Sequence, residues 1–312
     1  LFNRVNNFKS YRPIKKEIDD AGWNEKIRKK FSKEIQDLIE DLSVEDKQKF
    51  IKYLDSEKIK FSDAVDKTGV GKLPNTLAAT GVPLDVVKKI IVHTSQDEGK
   101  RGVGMGEVGL TLLFDDLKAA SGKGDLSIDG EEFEIKGNSA TLGAKPFNLV
   151  SAFNKKLGKY GIEVKGGREG MIFNDKKYQM IQLNQVLVDA YNATEDKDKF
   201  KAAFKDILIN DNKLGSTAVD ARFKNIDFTK PDSFNTEIGL MNFIRYAIDK
   251  GFTHFLNHDY GGSKYSPNNG QYIYVSGSPT DMAKKLKTAG VQFQTITPNI
   301  LRPRIGFGGD GF

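Results

Sequence analysis

The sequence predicts an α/β fold with a helical N-terminal region, and three observations support this prediction. Apolar residues recur at helical spacing between residues 27 and 42. The dipeptide Asp129-Gly130 separates two short strand-like segments, and this dipeptide is the strongest short-range signal for a β-hairpin. After residue 238 the pattern alternates between helices and strands, as in a mixed sheet flanked by helices.

The first segment, 1–82, is predicted to be the helical region. Its first periodic helix carries six apolar positions: Ile27, Phe31, Ile35, Leu38, Ile39 and Leu42. Ser43, followed three residues later by Asp46, predicts an N-cap and a second helix through Leu54. Residues 67–82 are rich in Gly, Thr and Pro and are interpreted as a connector.

Two further segments follow, 83–210 and 211–312. For 83–210 we predict helices over 83–95, from 106, and over 148–157, 178–192 and 199–208, strands over 125–128 and 133–136, a turn at 96–102 and a loop at 138–147. For 211–312 we predict helices over 238–250 and 279–289, and strands over 272–276 and 291–297.

The composition excludes several classes of protein. A chain of 312 residues, 38% hydrophobic, can bury its own core in one large domain or two smaller ones. Cysteine is absent, which excludes disulfide scaffolds, thiolate zinc sites and cysteine nucleophiles. No apolar run approaches the roughly 18 residues of a membrane span, and a cytoplasmic location is expected, in a host cell or in a virion if the chain is phage-encoded. Because the chain begins with Leu1, we expect a processed part of something longer.

Three segments match familiar motifs only in part. The segment 104–109 matches G-x-G-x-x-G, but polar turn residues rather than a strand precede it. Glycines that allow close backbone approach at the start of a helix explain the match better than a dinucleotide-binding site does. Gly71-Lys72 lacks the remaining residues of a phosphate-binding loop. His254 and His258 would share a face on a helix, but the glutamate that a zinc hydrolase needs between them is missing.

The segment 124–137 contains the informative constellation. Glu134 and Lys136 are two residues apart on a predicted strand and therefore point to the same face. Asp125 opens the preceding strand, and the turn at 129–130 folds that strand back beside Glu134. Two adjacent carboxylates repel each other unless a cation lies between them. An oxygen-only site with few protein ligands suits Mg²⁺, and a lysine beside it can position water or neutralise charge on a phosphate.

These residues resemble the PD-(D/E)XK, or restriction-endonuclease-like, nuclease superfamily. Asp125 matches the first acid of its signature, Glu134 the second acid and Lys136 the lysine. Many members carry a glutamate on the helix before the hairpin, and Glu107 stands in that place. Gly124 departs from the proline of the signature. The resemblance covers about residues 100–190 and implies a mixed β-sheet core flanked by helices.

The resemblance implies a Mg²⁺-dependent DNA nuclease in which Mn²⁺ can substitute for Mg²⁺. The metal would be held by Asp125, Glu134 and the Ile135 carbonyl, with Glu107 bound directly or through water, while Lys136 positions the attacking water. Double-stranded DNA is the expected partner, with no membrane association and with protein partners or self-association left open. The alternative is a non-catalytic structural or assembly protein, for example a phage particle component, that retains a nuclease-like fold.

Residues outside the hairpin add DNA-contact candidates. Gln182 and Gln185 share a face of a predicted helix, where they could contact nucleic acid or form an ordinary polar surface. Arg302 and Arg304 lie in a basic, aromatic-containing segment and are candidates for phosphate contacts, although this segment could equally be an α/β lobe with an aromatic core. A second pair, Glu163 and Lys165, repeats the Glu-x-Lys pattern, but no acid occupies the segment before it.

Overall fold

The structure is a computed structural model, and it describes residues 12–92, 105–137, 140–143, 149–166, 170–179, 182–258, 271–297 and 300–307. The chain forms two compact units. The first unit comprises residues up to 138 together with 251–277, and the second comprises 139–250 and 278–308. Each unit therefore joins segments that are distant in the sequence. The division into the segments 1–82, 83–210 and 211–312 is based on sequence patterns alone and stays a prediction.

The elements are numbered in chain order. The described helices are α1 (12–20), α2 (Glu25–Glu40), α3 (Val44–Leu54), α4 (Phe61–Ala64), α5 (Leu73–Ala78), α6 (Leu84–Val92), α7 (Met105–Leu113), α8 (Leu149–Leu157), α9 (Leu183–Ala193), α10 (Lys197–Asp206), α11 (Ser216–Arg222), α12 (Pro231–Lys250) and α13 (Pro279–Thr288). The described strands are β1 (Val70–Lys72), β2 (Leu117–Ala119), β3 (Leu126–Ile128), β4 (Glu131–Gly137), β5 (Ala140–Thr141), β6 (Ile162–Gly166), β7 (Gly170–Phe173), β8 (Lys176–Tyr178), β9 (His254–His258), β10 (Gln271–Ser276), β11 (Gln292–Thr297) and β12 (Ile300–Gly306).

Local sequence determines where the early helices begin. The Asn24 side chain accepts a hydrogen bond from the Ile27 N–H at 3.1 Å and caps α2. The Ser43 hydroxyl accepts one from the Asp46 N–H at 3.1 Å and caps α3, which confirms the predicted N-cap. The helical spacing predicted within 27–42 is also confirmed, because the buried side chains of α2 lie on one face.

A six-stranded mixed sheet organises the first unit, in the order β1-β10-β9-β4-β3-β2. Strands β2, β3 and β4 form an antiparallel meander, and β9 then runs parallel to β4. The turn between β3 and β4 has φ of 50° at Asp129 and 84° at Gly130, as a two-residue hairpin turn requires. The predicted hairpin, and the mixed α/β architecture with a mixed sheet, are thereby confirmed.

One face of this sheet packs against the helices of the first unit. Phe61 lies at the centre of the contact, with ring centroids 5.2 Å from Phe114, 5.6 Å from Phe133 and 5.5 Å from Tyr274. Phe133 is fully buried in this core. Because side chains alternate along a strand, Glu134 faces the opposite side of the sheet.

The second unit is built around α12, most of whose side chains are buried. Glu237 of this helix is buried and pairs with Arg222 at 2.7 Å and Lys287 at 2.6 Å. Two three-stranded sheets, β6-β7-β8 and β11-β12-β5, complete the unit.

Several sequence predictions differ from the structure. Residues 67–82 contain β1 and α5 rather than a plain connector, because β1 pairs with β10 from about 200 residues away. Tyr178 ends strand β8, and the helix predicted from that residue begins at Leu183. The predicted loop at 138–147 contains the short strand β5, while its residues 138–139 and 144–147 lie outside the described residues, as does the turn at 96–102.

The G-x-G-x-x-G segment has a packing role at its last glycine. A Cβ on Gly109 would lie 2.5 Å from Cγ2 of Ile90, so the glycine lets α7 approach α6 closely. Gly104 lies outside the described residues. Within the described part of the chain, no helix has the length and apolar character of a membrane span.

Candidate functional site

The hairpin of β3 and β4 brings the central predicted residues together. Asp125 directly precedes β3, and its backbone N–H donates to the Phe133 carbonyl at 3.0 Å. On β4, Phe133 enters the core, while Glu134 and Lys136 face the other side of the sheet. The pairing of the two strands therefore sets Asp125 beside the Glu-x-Lys segment.

The Lys136 ammonium lies among three oxygen atoms of this hairpin. Its Nζ is hydrogen-bonded to Glu134 Oε1, lies 3.0 Å from the carbonyl oxygen of Ile135 and lies 3.5 Å from Asp125 Oδ2. Two carboxylates and one carbonyl thus converge on a single positive charge. This is the convergence that the sequence predicted for Asp125, Glu134 and Lys136.

A backbone hydrogen bond holds the Asp125 carboxylate, and burial confines that of Glu134. Asp125 Oδ2 accepts a hydrogen bond from the Ile135 N–H at 2.8 Å, which joins the start of β3 to the middle of β4. The Glu134 side chain has 0% exposed surface, whereas Lys136 and Asp125 keep 18% and 23%. Since a buried carboxylate is costly without a cation or donor nearby, the lysine is part of what stabilises Glu134 in this position.

Gly124, the departure from the family signature, has a structural cause. Its N–H donates to Glu132 Oε2 at 2.7 Å, and a Cβ at this position would lie 2.6 Å from the same oxygen. A proline has no N–H to donate and would add atoms where the Glu132 carboxylate lies. The glycine is therefore matched to Glu132, an acid that the sequence reasoning did not select.

Asn257 on β9 is a second residue that sequence reasoning missed. It is fully buried and lies beside Lys136 in the parallel pairing of β4 and β9. Its Nδ2 donates to the carbonyl oxygens of Lys136 at 3.1 Å and Gly137 at 3.0 Å. Asn257 thus fixes the backbone that carries the lysine. The available signal was a polar residue directly after the two apolar residues of β9.

Glu107 lies in the first turn of α7, a helix that contacts β2 in the same unit. The side chain is half-buried. In the described part of the chain, no three acidic or histidine side chains form a group that could hold a metal ion. Its role as a ligand, directly or through water, stays a prediction.

The second Glu-x-Lys pair lies on β6 in the second unit. Lys165 Nζ is 3.5 Å from Glu163 Oε1, and both side chains are exposed. The residue opposite Glu163 on β7 is Ile172, so the neighbouring strand supplies no acid at that position. This pair therefore lacks the neighbouring acid that the proposed chemistry requires.

The predicted DNA-contact residues all lie in the second unit. Gln182 precedes α9 and its Oε1 accepts a hydrogen bond from the Gln179 N–H at 2.9 Å. Gln185 donates to Asp189 Oδ1 at 2.7 Å. Arg302 and Arg304 lie on β12, the middle strand of its sheet. Contacts of these residues with nucleic acid stay predictions.

The histidines of β9 lie on a strand rather than a helix. His254 Nδ1 is 2.7 Å from the Tyr274 hydroxyl, and Nε2 is 3.3 Å from Glu131 Oε2. Burial lowers the pKa of His254 below 6.5, although the Glu131 carboxylate acts in the opposite direction. Burial also raises the pKa of Tyr274 to about 12. This hydrogen-bonded group supports the interpretation of His254 as a packed histidine.

Comparison with known proteins adds no relative. No family model matches the sequence, and neither the curated proteins nor the solved structures gave a match. The chemistry of the hairpin itself is therefore the basis for proposing a function.

Proposed function

We propose that the protein is a Mg²⁺-dependent nuclease that hydrolyses phosphodiester bonds in double-stranded DNA. The observation that carries the proposal is the convergence of Asp125, Glu134 and the Ile135 carbonyl on one positive charge, that of Lys136. It supports the resemblance to the PD-(D/E)XK superfamily, and with it a restriction-endonuclease-like arrangement of the mixed sheet in the first unit.

The donor set of the hairpin fits a hard divalent cation. It consists of two carboxylates and a carbonyl, all oxygens, and these already surround an ammonium group. Mg²⁺ favours oxygen ligands and keeps several waters, so a few protein ligands suffice, and Mn²⁺ accepts the same donors. Asp125, Glu134 and the Ile135 carbonyl would hold the ion, with Glu107 as a direct or water-mediated addition.

The bound ion would polarise a phosphate oxygen and lower the pKa of a coordinated water. The protein's own contribution lies in positions and charges. Lys136 positions the attacking water and neutralises negative charge that develops on the phosphate. Asn257 holds the peptide of Lys136 in place through its two hydrogen bonds. Such supporting contacts decide whether a reactive group is correctly placed.

The proposed substrate agrees with the charge of the chain. With 48 basic and 42 acidic residues, its net charge is +6, which favours a polyanionic partner. Gln182, Gln185, Arg302 and Arg304 are the proposed nucleic-acid contacts.

The test is incubation of linear and circular double-stranded DNA with the full chain in Mg²⁺, in Mn²⁺ and in excess EDTA. We expect cleavage with either ion and none with EDTA. Glu134→Gln should abolish cleavage, and Glu163→Gln serves as the matched control that should not. Cleavage at full rate in EDTA would contradict the mechanism. Binding of DNA without cleavage under any condition would favour the non-catalytic assembly protein.

A further inference from the structure

The Lys136 ammonium lies on the same oxygens that are proposed to hold the divalent ion. Its contacts include Glu134 Oε1, the Ile135 carbonyl at 3.0 Å and Asp125 Oδ2 at 3.5 Å. Asp125 Oδ2 is itself fixed by the Ile135 N–H at 2.8 Å, so the hairpin backbone holds this oxygen in place. An ion bound to them at about 2.1 Å would stand close to the lysine nitrogen.

Two cations on one set of oxygens repel each other, and the repulsion is strong where side chains are largely buried. We propose that Lys136 is a built-in counter-ion, and that a divalent ion binds by displacing its ammonium from Asp125 and Glu134. This inference rests on the proposed function, because it concerns the regulation of the same site. Displacement makes the lysine available to water and phosphate only when the ion is bound.

A counter-ion role has a consequence that an ordinary catalytic lysine lacks. Removing a lysine that contacts only water and phosphate leaves the affinity for the ion unchanged. Removing Lys136 instead removes a positive charge that lies against the carboxylates of Asp125 and Glu134, so a divalent ion no longer competes with that charge. The same change destabilises the ion-free protein, because Glu134 is fully buried.

The test is a Mn²⁺ titration of the full chain, followed by the electron paramagnetic resonance signal of the free ion. We expect Lys136→Met and Lys136→Gln to bind one Mn²⁺ about tenfold more tightly than the wild type, a common size of coupling between two ligands. Lys136→Arg retains the charge and should bind no more tightly than the wild type. Lys165→Met, which alters the exposed Glu-x-Lys pair, is the matched control and should change nothing.

Thermal denaturation supplies a second readout. Lys136→Met and Lys136→Gln should melt at lower temperature than the wild type in EDTA and gain more from added Mn²⁺. Adding Glu134→Gln to Lys136→Met should abolish the gain in affinity, which places the ion on this hairpin. If Lys136→Met does not fold, Lys136→Gln, which retains hydrogen-bonding groups, carries the test.

Equal or weaker Mn²⁺ binding by the variants would overturn the counter-ion role, as would the absence of Mn²⁺ binding by all of them. Cleavage assays on the same preparations separate this inference from the proposed function. Tighter binding by the variants with no DNA cleavage by the wild type would keep the counter-ion role and contradict the nuclease. DNA cleavage by the wild type, together with unchanged Mn²⁺ affinity in the variants, would support the nuclease and contradict the counter-ion role.

Discussion

The pattern Glu-x-Lys occurs on two strands, β4 and β6, and the two copies have opposite surroundings. On β4 the Glu134 side chain is 0% exposed and Lys136 is 18% exposed, whereas on β6 the corresponding values are 59% for Glu163 and 39% for Lys165. The strand before β4 brings Asp125 to its pair, and the second pair faces Ile172 instead of an acid. Since the spacing is the same, the proposed chemistry of the first pair depends on its neighbouring acid and on its burial.

Each copy is also supported by an asparagine, and here the two strands are alike. Asn257 donates to the Lys136 and Gly137 carbonyls on β4. Asn154 binds both backbone groups of Val164, donating to its carbonyl at 2.9 Å and accepting from its N–H at 2.8 Å. Asn257 is fully buried and Asn154 is exposed. Similar local support thus holds one buried and one exposed pair, which provides matched controls.

The largest expected difference between the two copies is in the lysines. Lys136→Ala should lower the cleavage rate by about 10²–10⁴-fold, because positioning of water and stabilisation of charge are lost. DNA binding should remain nearly intact, since one lysine is a small part of a basic surface. Lys165→Ala should leave the rate unchanged. Single-turnover cleavage and a DNA-binding titration check both, and an unaffected rate in Lys136→Ala would move the chemistry to another site.

The asparagines should show a smaller difference. Asn257→Leu removes the two hydrogen bonds that hold the peptide of Lys136, so we expect kcat to fall by about 10–100-fold with KM for DNA nearly unchanged. Asn154→Leu should leave kcat within about twofold, although it removes two hydrogen bonds on β6. Steady-state kinetics below the melting temperatures of both variants test this. Equal kcat values for the two variants would contradict a positioning role for Asn257.

Gly124 tests why this hairpin departs from the family signature. Gly124→Pro introduces the proline of the signature but removes the hydrogen bond to the Glu132 carboxylate, so the free energy of unfolding should fall by about 1–3 kcal/mol. Gly137→Ala is the control, because a Cβ there has no atom within 4 Å. Urea denaturation measures both. A Gly124→Pro protein as stable as the wild type would show that the glycine is not matched to Glu132.

The smallest effect concerns His254 on β9, beside Phe133 of β4, and the dependence of stability on pH. The pKa of His254 is lowered below 6.5 by burial, while the carboxylates of Glu131, Asp129 and Asp116 act against this. His254 therefore takes up a proton more readily in the unfolded chain than in the folded chain. The free energy of unfolding should fall as the pH drops below about 6.5 and be retained above it. His254→Gln should flatten this part of the profile in thermal denaturation between about pH 5 and 7.5. An unchanged slope would assign the effect to other groups.

The sequence predicts the parts of the site that depend on neighbouring residues, and it does not predict the parts that depend on distant strands. Asp129-Gly130 fixes the hairpin, and the alternation of Phe133, Glu134 and Ile135 assigns their faces, so the three central residues could be placed from neighbouring positions. The contacts of Asn257 depend on the pairing of β4 with a strand more than 100 residues later. Local patterns do not encode that register.

The same reason explains the errors elsewhere in the fold. The local sequence of β1 predicts a connector, because its partner, β10, comes from the other end of the chain. The local sequence does not single out Glu132, because its role depends on the backbone of Gly124 across the hairpin. In both cases the interaction partner lies outside the segment, and the sequence pattern of the segment does not indicate that partner.

The most direct test of the central claim is anomalous diffraction from crystals grown or soaked with Mn²⁺. We predict a manganese peak about 2.0–2.3 Å from oxygens of Asp125 and Glu134. We also predict that the Lys136 ammonium lies away from those oxygens and that no peak occurs beside Glu163. A peak at Glu163, or none near Asp125 at saturating Mn²⁺, would contradict the proposed site.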